Sequence, residues 1–109
     1  MRFLTGQHHW MIGPAGTHGI SLTDYAANFE KFLGERKDGE PFYFWYGAHE
    51  PHLRYAEGPR SDEELSKVEV PGFLPNTAAS RSMLLDYADE INHFDTHLGR
   101  IIASLDAAG

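Results

Sequence analysis

The sequence contains no cysteine, few basic residues and no long apolar run, and each of these shortages excludes something. Without cysteine the chain cannot form disulfides or cysteine-ligated metal sites. Nine Lys and Arg residues against 16 Asp and Glu residues give a net charge of −7. This balance argues against a nucleic-acid partner, which requires a basic face. The opening residues MRFLTG form neither a signal peptide nor a membrane span, so localisation stays open, and an export signal could precede them in a longer protein.

The residues that are present suffice for one small domain with a modest core. The chain has 109 residues, of which 41% are hydrophobic and 13% aromatic. Residues 6–20 are rich in glycine and histidine and predict a loop. The segment Ser21–Asp24 resembles a capping box, and the apolar residues behind it recur at helical spacing. We therefore expect a helix that ends near Asp38–Gly39.

The next segment, PFYFWY at 41–46, is a short continuous apolar run without alternation. Such a run is typical of a strand that is covered on both faces. Residues 47–76 follow with most of the prolines and no sustained period. A loop of this length is far above the usual connection of about 4–6 residues, and such loops are usually functional or disordered.

A long helix is predicted from about Ala79 to Ala107, with an apolar stripe that steps by three or four residues. This apolar stripe comprises Leu84, Tyr87, Ala88, Ile91, Phe94, Leu98, Ile101, Ile102 and Leu105. Asp95 falls inside the stripe, where we expect its carboxylate to accept backbone N–H groups from a neighbouring loop. The polar residues Asp86, Asp89, His93 and His97 fall on the far side, and a solvated face is the favoured interpretation.

Together these elements predict an α/β fold of the order helix, buried strand, long loop, long helix. Helix followed by buried strand is half of a βαβ unit, but one strand cannot form a sheet. We therefore expect residues 1–109 to be a single incomplete domain. Its missing partners would come from the remainder of a larger domain or from a homo-oligomer.

Three groups of histidines are candidates for chemistry. His49 and His52 bracket Pro51 just after the predicted strand, where ligands bind in open α/β sheets, and a site and a plain polar loop are about equally supported. The cluster Gln7–Trp10 is weaker evidence. Glu90 and His93 have a spacing found in helical di-iron sites, but a single copy on a solvated face predicts no metal ligand.

Three segments, in order, resemble the sulfatase family of the alkaline phosphatase superfamily, and most closely its heparan N-sulfatase (sulfamidase-like) branch. The first is PFYFWYGAHEPH at 41–52, which is similar to the strand that precedes an active-site histidine. The second, VPGFLPNT at 70–77, resembles a VPPFLPDT segment of that branch. The third, LLDYADEINHFDTHLGR at 84–100, resembles its long helix.

The resemblance implies a doubly wound alkaline-phosphatase-like fold that hydrolyses sulfate esters or sulfamates, including those of sulfated glycans, with a formylglycine nucleophile and calcium. It assigns a catalytic role to His52, which would contact the sulfate, and to His9, which would assist the leaving group. His49 and Gln7 are predicted to contact the substrate, although Gln7 stands where the family has a lysine. The formylglycine motif and the acidic pairs that bind calcium are absent from the sequence. We therefore expect a central fragment of a sulfatase that is inactive by itself.

Two other hypotheses remain open from the residues. The chain could come from a phosphodiesterase or phosphonate hydrolase of the same superfamily, because the missing lysine loosens the match. Alternatively it is a truncated, non-enzymatic oligomer, or one that binds metal through His93 and His97, which are four residues apart.

Overall fold

The computed structural model describes residues 19–37 and 39–109. Within these two ranges the chain forms three helices and no strand. The helices are α1 (Tyr25–Gly34), α2 (Asp62–Ser66) and α3 (Ala78–Ala108). The positions of α1 and α3 confirm the two predicted helices, and α2 is an additional short helix inside the predicted long loop.

Each helix begins at a polar residue whose side chain accepts a hydrogen bond from a backbone N–H of the first turn. Asp24 caps α1 by accepting from the Ala27 N–H at 2.9 Å, Ser61 caps α2 in a capping box with Glu64, and Thr77 caps α3. The predicted capping box of α1 is wrong in register, because Asp24 is itself the cap. Local side-chain chemistry therefore explains where the helices start.

The aromatic segment 41–46 is not a strand, which corrects the predicted fold class. It has no regular secondary structure, and its side chains alternate between two environments. Phe44 and Tyr46 pack towards α1, while Tyr43 is 58% and Trp45 75% exposed. A strand requires a neighbour for its backbone hydrogen bonds, and the described residues supply none. The expected α/β architecture, a central piece of a doubly wound alkaline-phosphatase-like fold with a buried strand, is therefore wrong for this part of the chain.

The apolar core is small and lies where α1 crosses the C-terminal half of α3. Ala26 and Phe29 of α1 are buried with Ile101 of α3, and four half-buried residues surround them, namely Phe32, Leu33, Phe44 and Tyr46. The rings of Phe29 and Phe44 meet edge to face with centroids 4.7 Å apart. This core holds α1 and the aromatic segment against one end of α3.

The long helix α3 packs largely through a polar face, and its apolar stripe contributes mainly Ile101 in the core and Phe94, which stacks on Tyr46. Asp86, Glu90 and His97 are buried, together with Ile101. The apolar stripe is instead largely exposed at Tyr87, Ile91, Ile102 and Leu105. The prediction of a solvated polar face is therefore wrong, and so is the prediction for Asp95, which is exposed. No helix in the described ranges is both long and apolar enough to cross a membrane.

Candidate anion-binding loop

The histidine loop, defined here as residues 49–56, presents two imidazoles at the surface. The rings of His49 and His52 are stacked, with centroids 4.6 Å apart and planes 22° from parallel. Both side chains are exposed, and the exposed Arg54 follows two residues later. The loop thus displays two imidazoles and a guanidinium on a chain whose overall charge is negative.

One end of the histidine loop is held by Glu50 and Tyr25. Glu50 is only 4% exposed, and its carboxylate accepts hydrogen bonds from the Ser21 N–H and, at 2.9 Å, from the Tyr25 hydroxyl. The same hydroxyl accepts from the His49 N–H at 3.1 Å. Burial raises the pKa of Tyr25, so its hydroxyl keeps the proton that it donates to Glu50. These bonds fix the backbone that carries His49.

The other end is held by Glu90, which is fully buried on α3. One oxygen of its carboxylate accepts from the His52 N–H at 3.2 Å, and the other accepts from the Ala56 N–H at 3.3 Å. An irregular loop leaves its backbone N–H groups without partners, and a buried carboxylate can accept several of them. Glu90 therefore ties the His52 peptide to the rigid helix.

A third buried carboxylate, Asp86, holds the chain just beyond the histidine loop. It accepts from the Gly58 N–H at 3.4 Å and from the Arg60 guanidinium at 2.6 Å. The same guanidinium nitrogen also lies 2.6 Å from Asp89. These two carboxylates raise the pKa of Arg60. Asp86 and Glu90 are four residues apart, so α3 offers its carboxylates as a row along which the loop is attached.

The proton positions on His52 follow from its neighbour. Its Nδ1 contacts the carbonyl oxygen of Leu53, which can only accept, so Nδ1 carries a proton. In the neutral ring Nε2 then has a free lone pair, and in the imidazolium Nε2 is a donor. The exposed ring can therefore take up a proton from a ligand or, once charged, donate a hydrogen bond to an anionic oxygen.

The described carboxylates do not fit the calcium ion that the family resemblance implies. Among residues 19–37 and 39–109 no three His, Asp or Glu side chains are arranged to hold a metal ion. Glu50 and Glu90 are engaged with N–H and O–H donors, and Asp86 with Arg60 and a backbone N–H. Formylglycine does not fit either, because the chain has no cysteine and Ser80 packs its hydroxyl against the Thr77 cap.

Of the four predicted site residues, the structure describes two. It brings His52 and His49 together, whereas His9 and Gln7 lie outside the described residues. Tyr25, Glu50 and Glu90, which hold the loop, were not predicted as site residues from the sequence. One signal was available, because Asp86, Glu90, His93 and His97 form a polar stripe at helical spacing beside a long loop that needs acceptors.

Comparison with known proteins adds no assignment. No family model matches the chain, and neither a curated protein nor a solved structure was found that matches it. The resemblance to sulfatases thus rests on the sequence segments alone and stays a hypothesis.

Proposed function

We propose that this chain is a segment of a sulfatase-like hydrolase and that its histidine loop binds the sulfate group of the substrate. In this proposal His52 donates to a sulfate oxygen from Nε2 as an imidazolium, and His49 and Arg54 add further donors. His9 and Gln7 belong to the same proposal through the sequence resemblance. The observation that supports it best is the stacked, exposed pair of imidazoles on a loop anchored to α3.

The anchoring matters because an anion is bound well only by donors that are already in place. Loop residues lose backbone freedom on binding, which costs about 1–2 kcal/mol for each residue that becomes ordered. Glu50 and Glu90 are buried and hydrogen-bonded to the loop in the absence of ligand. Much of that ordering is therefore complete before an anion arrives, and donors held in this way favour charge that develops on oxygen.

The proposal predicts that anion binding is linked to proton uptake. With Nδ1 committed to the Leu53 carbonyl, Nε2 of His52 donates only when the ring is charged. Sulfate is therefore bound through Nε2 only by the imidazolium form of the ring. Salt screens the attraction between sulfate and the exposed cations of the loop and adds competing anions, so sulfate binding is measured best at low ionic strength.

The experiment is a titration with sodium sulfate at low ionic strength, followed by NMR of the histidine ring signals. We expect the His52 and His49 rings to respond together as sulfate is added. The variant His52→Gln should lose the response, whereas Asp95→Asn, a change at an exposed position of α3, should retain it. A response that survives in His52→Gln contradicts the proposed role.

Inorganic phosphate in the same titration examines the phosphodiesterase or phosphonate hydrolase alternative. Phosphate is close to sulfate in shape but carries an exchangeable proton, so clearly tighter phosphate binding favours that alternative.

The chain itself should not turn over an aryl sulfate, because it lacks the nucleophile motif. Turnover that disappears in His52→Ala would show that the chain is catalytically sufficient.

A further inference from the structure

The first turn of α1 is attached to α3 by an unusual hydrogen bond. The backbone N–H of Ala26 donates to Nδ1 of His97 at 3.2 Å, and both residues are buried. The first N–H groups of a helix have no partner within the helix, and here an imidazole supplies one. Since Nδ1 must offer a lone pair, His97 is neutral in this contact and carries its proton on Nε2.

The groups that face His97 disfavour a charged ring overall. On α3, the His93 ring lies 4.6 Å away, its buried Nε2 has no hydrogen-bond partner among the described residues, and Arg100 adds positive charge nearby. The N-terminal end of α1 carries partial positive charge and points at the ring. The uncharged ring of Tyr25 lies edge to face with the His97 ring, with centroids 5.3 Å apart.

Two carboxylates favour a charged His97 ring, but each already accepts hydrogen bonds from other donors. Asp24 lies 3.6 Å from His97 Nδ1, yet it also accepts from the Ala27 N–H and pairs with Arg100 at 3.0 Å. Glu50, on the histidine loop, accepts from Tyr25 and Ser21. The net result is that burial, with a smaller contribution from His93, lowers the pKa of His97.

We infer that His97 is a pH-sensitive clamp: protonation of its Nδ1 breaks the bond to the Ala26 N–H and loosens the start of α1, which the exposed Asp24–Arg100 pair still ties to α3. The proton adds to the lone pair that held the N–H, so bond and proton exclude each other. The clamp is closed above pH about 6.5, the ordinary histidine value. It is lost as the pH falls through the lowered pKa, because the loosened state binds the proton more tightly.

Loosening of the start of α1 also loosens the histidine loop. Tyr25 is the neighbour of Ala26, and its hydroxyl bonds both Glu50 and the His49 N–H. When the first turn of α1 loses its bond to His97, the hydroxyl of the neighbouring Tyr25 is held less firmly. The clamp therefore couples the acidity of the medium to the order of the loop, and this coupling does not depend on what the loop binds.

The experiment measures hydrogen exchange of the Ala26 amide in the full chain between pH 7.5 and 5, corrected for the intrinsic change of exchange rate with pH. Protection should fall by about tenfold for each unit by which the pKa of His97 is lowered. In His97→Asn the amide oxygen takes the place of Nδ1 and cannot be protonated, so protection should no longer depend on pH. His52→Asn, at an exposed histidine, should keep the dependence.

A second measurement on the unmodified chain keeps the inference testable if His97→Asn does not fold. The ¹⁵N signals of the His97 ring at pH 7.5 should show an unprotonated Nδ1 and a protonated Nε2. A ring protonated on Nδ1, Ala26 protection that stays constant with pH, or a pH dependence that persists in His97→Asn would each overturn the clamp.

Discussion

Replacement of Glu90 by glutamine is the sharpest probe of how the histidine loop is held. Glu90 is fully buried, and its two oxygens each accept one loop N–H, from His52 and from Ala56. Glutamine has nearly the same shape but only one acceptor oxygen. Its NH₂ group cannot accept, so the substitution leaves one buried backbone N–H facing another donor and weakens the bond to the second.

The expected loss in the free energy of unfolding follows from these two hydrogen bonds. A buried donor left without a partner costs about 1–3 kcal/mol, and a bond to a neutral acceptor is weaker than one to a carboxylate. Both bonds are at the long end of the normal range, at 3.2 and 3.3 Å, and removal of a buried charge recovers part of its desolvation cost. We therefore expect a loss of about 2 kcal/mol in the free energy of unfolding.

The assay is urea unfolding of Glu90→Gln beside a matched control on the same helix. With a slope of about 1–2 kcal/mol per molar urea for a chain of this size, the midpoint should fall by roughly 1–2 M. Asp95→Asn makes the same chemical change at an exposed position and should shift stability by less than about 0.5 kcal/mol. Equal midpoints for the two variants, with unchanged amide signals of His52 and Ala56, would refute the anchoring role.

Two further predictions, each with a matched control variant, concern contacts in and next to the histidine loop. Gly19→Ala should destabilise the fold by more than about 2 kcal/mol, because Gly19 has φ +88° and an added Cβ would lie 2.1 Å from the Ala56 nitrogen. Gly99→Ala on α3 meets open space and should instead stabilise by about 0.5–1 kcal/mol, and thermal unfolding of both variants gives the comparison. Arg60→Met should cost about 3–5 kcal/mol, since it leaves the buried Asp86 carboxylate without its cation. Lys67→Met, which breaks an exposed pair, should cost under about 1 kcal/mol, and similar losses in the two variants would contradict the claim of a buried pair.

The pattern of these interactions gives the described part of the chain an interior that is more polar than apolar. Among residues 19–37 and 39–109 the buried apolar residues are Ala26, Phe29 and Ile101, while Glu50, Asp86, Glu90 and His97 are buried and hydrogen-bonded. Acid should therefore weaken this fold in two stages. The first stage is loss of the His97 clamp. The second involves Asp24, whose pKa is lowered by the hydrogen bond from the Ala27 N–H and by Arg100. The contribution of Asp24 to stability is therefore lost as the pH falls through that lowered pKa.

How far the candidate site could be predicted from the sequence differs between its residues. Their order around Pro51 predicted that His49 and His52 act together, and the structure stacks their rings. The residues that hold the loop were not predicted, because a carboxylate on a helix and an N–H in a loop 34–38 positions away share no local pattern. Glu90 was interpreted as part of a solvated face for this reason.

The sequence by itself determined roughly where α1 and α3 begin, since a cap such as Asp24 or Thr77 acts within three residues of its own position. It did not predict the end of α1, which lies at Gly34 and not near Asp38–Gly39. It also determined that α3 has an apolar and a polar face. Only the tertiary structure decided which face lies inside. An apolar stripe is buried only where apolar partners exist, whereas a long irregular loop leaves backbone N–H groups that need acceptors. In the described ranges the loop supplies the donors, so the carboxylates of α3 turn inward. Ile101 of the apolar stripe joins the small core, while Tyr87, Ile91, Ile102 and Leu105 stay exposed.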